Sequence, residues 1–173
     1  MRAPQRALSL FPISQNYSPN KYFNEEIRTM TAITAQETDL LEEAKIRRLN
    51  YEYANAIDNS RVEDVVNSFT EDGVFDMQSL GAPAAFEGAE GLRAAFTGMV
   101  ESMAGCLHMM MNHLIEVAGD RATGTVYCDA YTLQPDGERV QMLVFYTDQY
   151  VKQDGEWKFA ERIVKPLLAG AKN

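Results

Sequence analysis

From Thr34 onward the apolar positions recur at helical spacing. In ITAQETDLLEEAKIRRLNYEYANAID the residues Leu41, Ala44, Leu49, Tyr53, Ala56 and Ile57 return at a period near 3.6. They predict one long helix ending around Asp58-Asn59. Thr34 followed three residues later by Glu37 has the form of a capping box. Ser60 stands where it could cap a second helix, RVEDVVNSFT, with Val62, Val65, Val66 and Phe69 on one face. EDG at 71–73 reads as a turn, VFDMQSL as a strand, and GAPAAFEG as a loop with a short strand. AEGLRAAFTGMVESMA reads as a third helix, with Leu92, Ala95, Phe96, Met99 and Met103 inward.

After Gly105 the period changes from 3.6 to 2. CLHMMMNHLIEVA, RATGTVYCDAYTLQ, ERVQMLVFYTDQYVKQ and EWKFAERIVKPLL are four long β runs separated by AGD, PDG and DG, each a hairpin signal. Consecutive hairpins make a meander. Three helices followed by a large curved sheet predict an α+β fold, with the helices on one face of the sheet. Residues 1–33 lack a sustained period and carry Pro4, Pro12 and Pro19, so they read as an extended or partly disordered leader. Residues 34–170 read as a single domain.

Composition narrows the function classes. A net charge of −9 opposes nucleic acid and anionic membrane surfaces as partners. No apolar run approaches the ~18 residues needed to span a bilayer, and the apolar patch near the start is broken by Pro12, so a cytoplasmic protein is expected. Cys106 and Cys128 are expected to be free thiols in a reducing compartment. There is no CxxC, no GxGxxG and no P-loop, so neither a metal nor another cofactor is expected.

The stretches IRRLNYEYANAIDNSRVEDVVNSFTEDGVFD, FEGAEGLRAAF, HMMMNHLIEVAGDRATGTVY and FYTDQYVKQDGEWKFAERIV carry a resemblance over residues 40–168. In order and spacing they resemble the SnoaL-like group of the nuclear-transport-factor-2-like superfamily. That resemblance implies a cystatin-like α+β barrel with a conical internal cavity. It also implies assembly as a homodimer or homotrimer. Members similar to it include hexachlorocyclohexane dehydrochlorinase, bile acid 7α-dehydratase and scytalone dehydratase, which perform eliminations with a His–Asp pair. Other members are non-catalytic, such as the β chains of ring-hydroxylating dioxygenases.

The candidate chemistry centres on the two histidines of the chain, His108 and His113. Strand alternation would put them on opposite faces unless a bulge intervenes. The family's pattern of His, three residues, Asn, two residues and Ile falls on His108, Asn112 and Ile115, which implies His108 as the general base. His113 is then expected at the surface or an interface. A neutral imidazole can take a proton at neutral pH. Asp58 is placed against the helix dipole, a position that calls for a partner, and the resemblance makes it the residue that orients His108. Tyr53, where the dehydrochlorinase pattern has Lys, is expected to serve an oxygen or carbonyl. Arg162 matches an Arg that assists the leaving group, although strand parity groups it with Lys158, Ala160 and Val164 on an outward face.

Tyr127, Asp129 and Tyr131 alternate on one strand face and are expected to line the cavity wall. Asp129 is there a secondary acid or base. Phe75, Met110 and Phe145 are expected as apolar lining and Asn112 as a further contact. The implied function is a cofactor-independent lyase or isomerase acting on a small hydrophobic molecule. The rival is a ligand-binding or structural subunit.

Overall fold

A computed structural model describes residues 34–168. The leader expected over residues 1–33 lies outside the described residues. Helix α1 (Ala35–Asp58) is followed by a short α2 (Val62–Asn67), strand β1 (Phe69–Asp76), a 3-10 turn (Gln78–Leu80), β2 (Phe86–Glu87) and α3 (Gly88–Ser102). Four long strands complete the chain: β3 (Gly105–Ala118), β4 (Arg121–Leu133), β5 (Arg139–Gln153) and β6 (Glu156–Pro166). These described strands form one six-stranded sheet in the order β2-β1-β6-β5-β4-β3. All neighbours are antiparallel except β1 and β6, which run parallel. The α+β architecture is therefore as the sequence pattern predicts, with a mixed sheet.

Local differences have physical reasons. Ser60 does not cap α2. Its φ is +57°, and its N–H donates to the Ile57 carbonyl at 3.0 Å, so it closes α1 instead. The EDG tripeptide is not a free turn but part of β1. Phe69 pairs with Phe159 and Val74 with Glu161, so five residues of β1 advance against two of β6. The surplus is taken up as a bulge at which Gly73 is required. A Cβ there would sit 2.8 Å from the Phe69 Cβ and 2.9 Å from the Thr70 carbonyl.

The inward stripe of α1 is not the fully apolar one expected. Leu41 is exposed, and so is Ala44. Ile46, Tyr53, Ala56 and Ile57 do face the sheet, but so do Glu42 and Asn50, both buried. Glu42 accepts from the Trp157 indole N–H at 2.6 Å and pairs with Lys152 at 2.9 Å, tethering α1 to the β5–β6 hairpin. The Lys45 hydrogen bond, helped by Lys152 and Trp157, holds its carboxyl down at about 2 despite burial. An aromatic cluster of Tyr53, Phe69, Phe75, Phe96 and Phe159 fills the space between α1, α3 and the β1–β6 part of the sheet. Its ring centroids lie 4.9 to 6.3 Å apart.

Candidate functional site

Asp58 ends α1 with its carboxylate against the negative end of the helix dipole. Its compensation comes from β3. Oδ2 accepts the backbone N–H of His108 at 3.0 Å, and Oδ1 lies 2.7 Å from His108 Nδ1. An ionised carboxylate can only accept, so Nδ1 carries a proton, and in the neutral ring Nε2 keeps its lone pair. Both side chains are largely but not wholly covered, at 15% and 16% exposure. Two residues before His108, on the same strand face, the Cys106 thiol lies 3.6 Å from the Ile57 carbonyl. Burial, reinforced by Asp58, pushes this thiol up to about 11, so it is protonated at neutral pH.

The strand-parity expectation for His113 fails, because a bulge does intervene. Met110 pairs with Cys128 and His113 with Val126, so β3 carries one residue more than β4 across this interval. Asn112 lies within that surplus and is exposed on the outer side. The two histidines therefore share the helix-facing side. His113 is neither at the outer surface nor exposed: its Nε2 lies 3.2 Å from the Tyr150 hydroxyl. Burial draws its pKa down to about 4. Gly124 on β4 leaves the room, since a Cβ there would meet Tyr150 at 3.0 Å and His113 Nε2 at 3.2 Å.

A second bulge decides Arg162. Tyr150 pairs with Phe159 and Gln149 with Glu161, leaving Ala160 as the extra residue of β6. Before it the inward residues are Trp157 and Phe159, and after it Arg162 and Val164. Arg162 is 0% exposed. Its Nε and Nη2 donate to the two oxygens of Asp148 at 2.9 and 2.7 Å, and Nη2 also donates to Asn50 Oδ1. The guanidinium lies over the rings of Phe159, Tyr146 and Tyr53 at 4.0, 4.3 and 4.4 Å. Burial alone would lower its pKa, but the charge and hydrogen bonds of Asp148 outweigh this and hold it above the ordinary value. Nη1 has no partner among the described residues.

The network fixes a second tautomer. Tyr150 donates its one proton to Asp148 at 2.6 Å and accepts from Asn50 Nδ2 at 3.0 Å. It can only accept again from His113, so His113 carries its proton on Nε2. His113 Nδ1 is then a bare acceptor, without a partner among the described residues.

A profile of the SnoaL-like domain matches residues 38–163. The chain belongs to the SnoaL-like family. The uncharacterized protein Rv2910c of Mycobacterium tuberculosis is 29% identical over 143 residues, 79% of this chain and 90% of that protein. Among solved structures, a single-residue variant of Rv3472 from Mycobacterium tuberculosis, a protein of unknown function, aligns with a TM-score of 0.71 at 26% identity, covering 78% of this chain and 77% of its own. A scytalone dehydratase candidate from Novosphingobium aromaticivorans aligns with a TM-score of 0.71 at 22% identity, over 77% and 89% of the two chains. LinA, the hexachlorocyclohexane dehydrochlorinase, aligns at 0.68 and 20%, over 81% and 99%. The last two speak for the nuclear-transport-factor-2-like fold.

This SnoaL-like domain gathers only part of the residues expected at one site. His108 and Asp58 meet, and Met110 faces the same side of β3. Tyr53 is buried within the aromatic cluster, and burial pushes its phenol up to about 12. Phe75 is likewise packed, 4.9 Å from Phe96. Tyr127, Asp129, Tyr131 and Phe145 stand on the outer face, because Val126, Cys128, Ala130, Val144 and Tyr146 take the inward positions of β4 and β5. Asp129 accepts there from Tyr131 and Gln141 at 3.2 and 2.8 Å. Sequence reading missed Asn50, Asp148, Tyr150 and Cys106. For Cys106 there was a signal, the alternation that puts it on the face of His108. For Asn50 there was the polar break in the α1 stripe.

Proposed function

We propose that this SnoaL-like protein is a cytoplasmic, cofactor-independent lyase or isomerase. His108 Nε2 takes a proton from a carbon next to an activating carbonyl. The Nδ1–H···Asp58 bond fixes the ring and stabilises the imidazolium that forms, the orienting role a carboxylate plays beside a catalytic histidine. The observation that carries the reading is the double grip of one carboxylate on the backbone N–H and the ring of His108, at 3.0 and 2.7 Å. Arg162 Nη1 is the donor held ready for an oxygen of the substrate or leaving group. Its other two nitrogens are occupied, and the clamp of Asp148 and Asn50 holds its orientation. Tyr53 keeps a supporting place through its ring beneath that guanidinium. The substrate is a small hydrophobic molecule bearing a carbonyl, with Met110 at its side. In the same reading the protein assembles as a homodimer or homotrimer through the outer sheet face, where Leu107, Met109, Met111, Leu114 and Tyr127 are exposed.

The test is His108→Ala assayed with a panel of β-hydroxy carbonyl compounds. Loss of elimination or isomerisation with the fold intact supports the base. An unchanged rate on a substrate found in the panel removes it. One observation favours a second reading, a non-catalytic subunit akin to dioxygenase β chains: Tyr53, Phe69, Phe75, Phe96 and Phe159 pack together in the interior. A candidate aromatic ring hydroxylase from Novosphingobium aromaticivorans aligns with a TM-score of 0.71 at 26% identity over 75% of this chain and 91% of its own. The filled aromatic interior is compatible with it. Co-purification with a larger oxygenase chain, with no turnover by the protein alone, would select that reading.

A further inference from the structure

The end of α1 and the start of β3 bring together three different donor atoms. One Asp58 carboxylate oxygen, Cys106 Sγ and one ring nitrogen of His108 all lie within 4.8 Å of one another. All three residues are partly covered. Carboxylate, thiolate and imidazole form a ligand set suited to zinc and its thiophilic relatives. Three protein ligands leave a fourth position open. In a tetrahedral site with Zn–S about 2.3 Å and Zn–N about 2.0 Å, neighbouring donors sit about 3.5 Å apart. The widest pair has to close by about 1.3 Å at most, while Asp58 Oδ1 and His108 Nδ1, now 2.7 Å apart, have to open to make room for the ion. The chain's charge of −9 raises the local concentration of cations.

We propose that Asp58, Cys106 and His108 form a binding site for one thiophilic divalent cation of the zinc class, whose occupation excludes His108 from acting as a base. The exclusion follows from the tautomer. The cation takes the Nδ1 lone pair, and the proton now shared with Asp58 leaves that nitrogen. A neutral metal-bound imidazole then carries its proton on Nε2, the atom that would have accepted one from substrate. Asp58 Oδ2 keeps its bond to the His108 N–H while Oδ1 exchanges the ring proton for the metal. The thiol gives up its proton to become a ligand, so binding releases protons to solution. Binding itself rests on these three side chains alone. Only the inhibition rests on the lyase reading.

The experiment uses the full-length chain freed of metal by a chelator and titrated with Co²⁺, then with competing Zn²⁺. The expected result is about one Co²⁺ per chain with a thiolate-to-metal absorption band that Zn²⁺ displaces. Affinity should fall more than about tenfold in Cys106→Ser and Asp58→Asn and stay unchanged in His113→Gln. In the unaltered protein, Zn²⁺ should slow alkylation of Cys106, read by mass spectrometry, which needs no variant to fold. Absence of the band, a band that survives in Cys106→Ser, or alkylation indifferent to Zn²⁺ overturns the site and leaves His108 as base untouched. Zinc that binds as expected yet does not slow turnover overturns His108 as base and leaves the site standing.

Discussion

At the scale of residues, polar atoms do the deciding. Asp58 holds His108 in one tautomer by two bonds, and an amide cannot accept both. Asp58→Asn is expected to lower kcat by about 10²- to 10⁴-fold, with KM little changed and circular dichroism intact. An unaltered kcat would remove the orienting role. Asp148 neutralises a guanidinium that is 0% exposed. Asp148→Asn strands that charge and should cost about 3–5 kcal/mol of unfolding free energy in urea. A loss below about 1 kcal/mol would mean that the cation–aromatic contacts suffice. His113 gives a pH dependence of known sign. Burial holds its folded pKa at about 4, below the ordinary 6.5. Between those values the unfolded chain binds a proton that the folded chain refuses. This contribution to stability is complete above pH 6.5 and is lost as pH falls towards 4. The urea midpoint of His113→Gln should therefore decline less from pH 7 to pH 4.5 than that of the unaltered protein. Parallel declines would disprove the assignment.

At the scale of elements, bulges re-aim the side chains that matter. Without the extra residue near Asn112, His113 would turn to the outer face. Without Ala160, Arg162 would do the same. Simple alternation therefore reads Cys106, His108 and Met110 correctly and everything beyond the bulge wrongly. The strands next to the bulge must also give way. Gly124 faces Tyr150 and His113 so closely that an added methyl would meet Tyr150 at 3.0 Å and the Leu114 carbonyl at 3.2 Å. Gly124→Ala is expected to lower stability by about 1–3 kcal/mol, seen as a drop in Tm. An unchanged Tm would show that the β3 bulge relaxes freely. Helix α1 shows the same logic. Its inward stripe carries Glu42 and Asn50 because β5 and β6 offer Lys152, Trp157, Tyr150 and Arg162 as partners. A polar residue on an inward helical face is a sign of such partners, but the helix's own sequence does not name them.

At the scale of the whole molecule, the outer sheet face presents Leu114 at 76% exposure among other apolar residues, a surface expected to be covered by further copies of the chain. Light scattering should report a dimer or trimer, and Leu114→Lys combined with Met109→Lys should convert it to a monomer. A monomeric parent protein would refute the assembly. Among the described residues no helix is long and apolar enough to cross a membrane. The order of elements, the change of period at Gly105 and the hairpin turns were legible in the chain, because helical and strand periodicities and turn glycines are local properties. The meeting of Asp58 with His108 could be inferred only through resemblance, since fifty residues separate them. The bulges left no such trace, because the residue that a strand extrudes is chosen by its neighbours' register and packing. So the sequence by itself determined which elements form and in what order. The tertiary structure alone decided that both histidines and Arg162 turn inward, that Tyr127, Asp129, Tyr131 and Phe145 turn out, and that Cys106 stands beside Asp58 and His108. Side-chain direction in a bulged sheet is a property of paired strands and not of one.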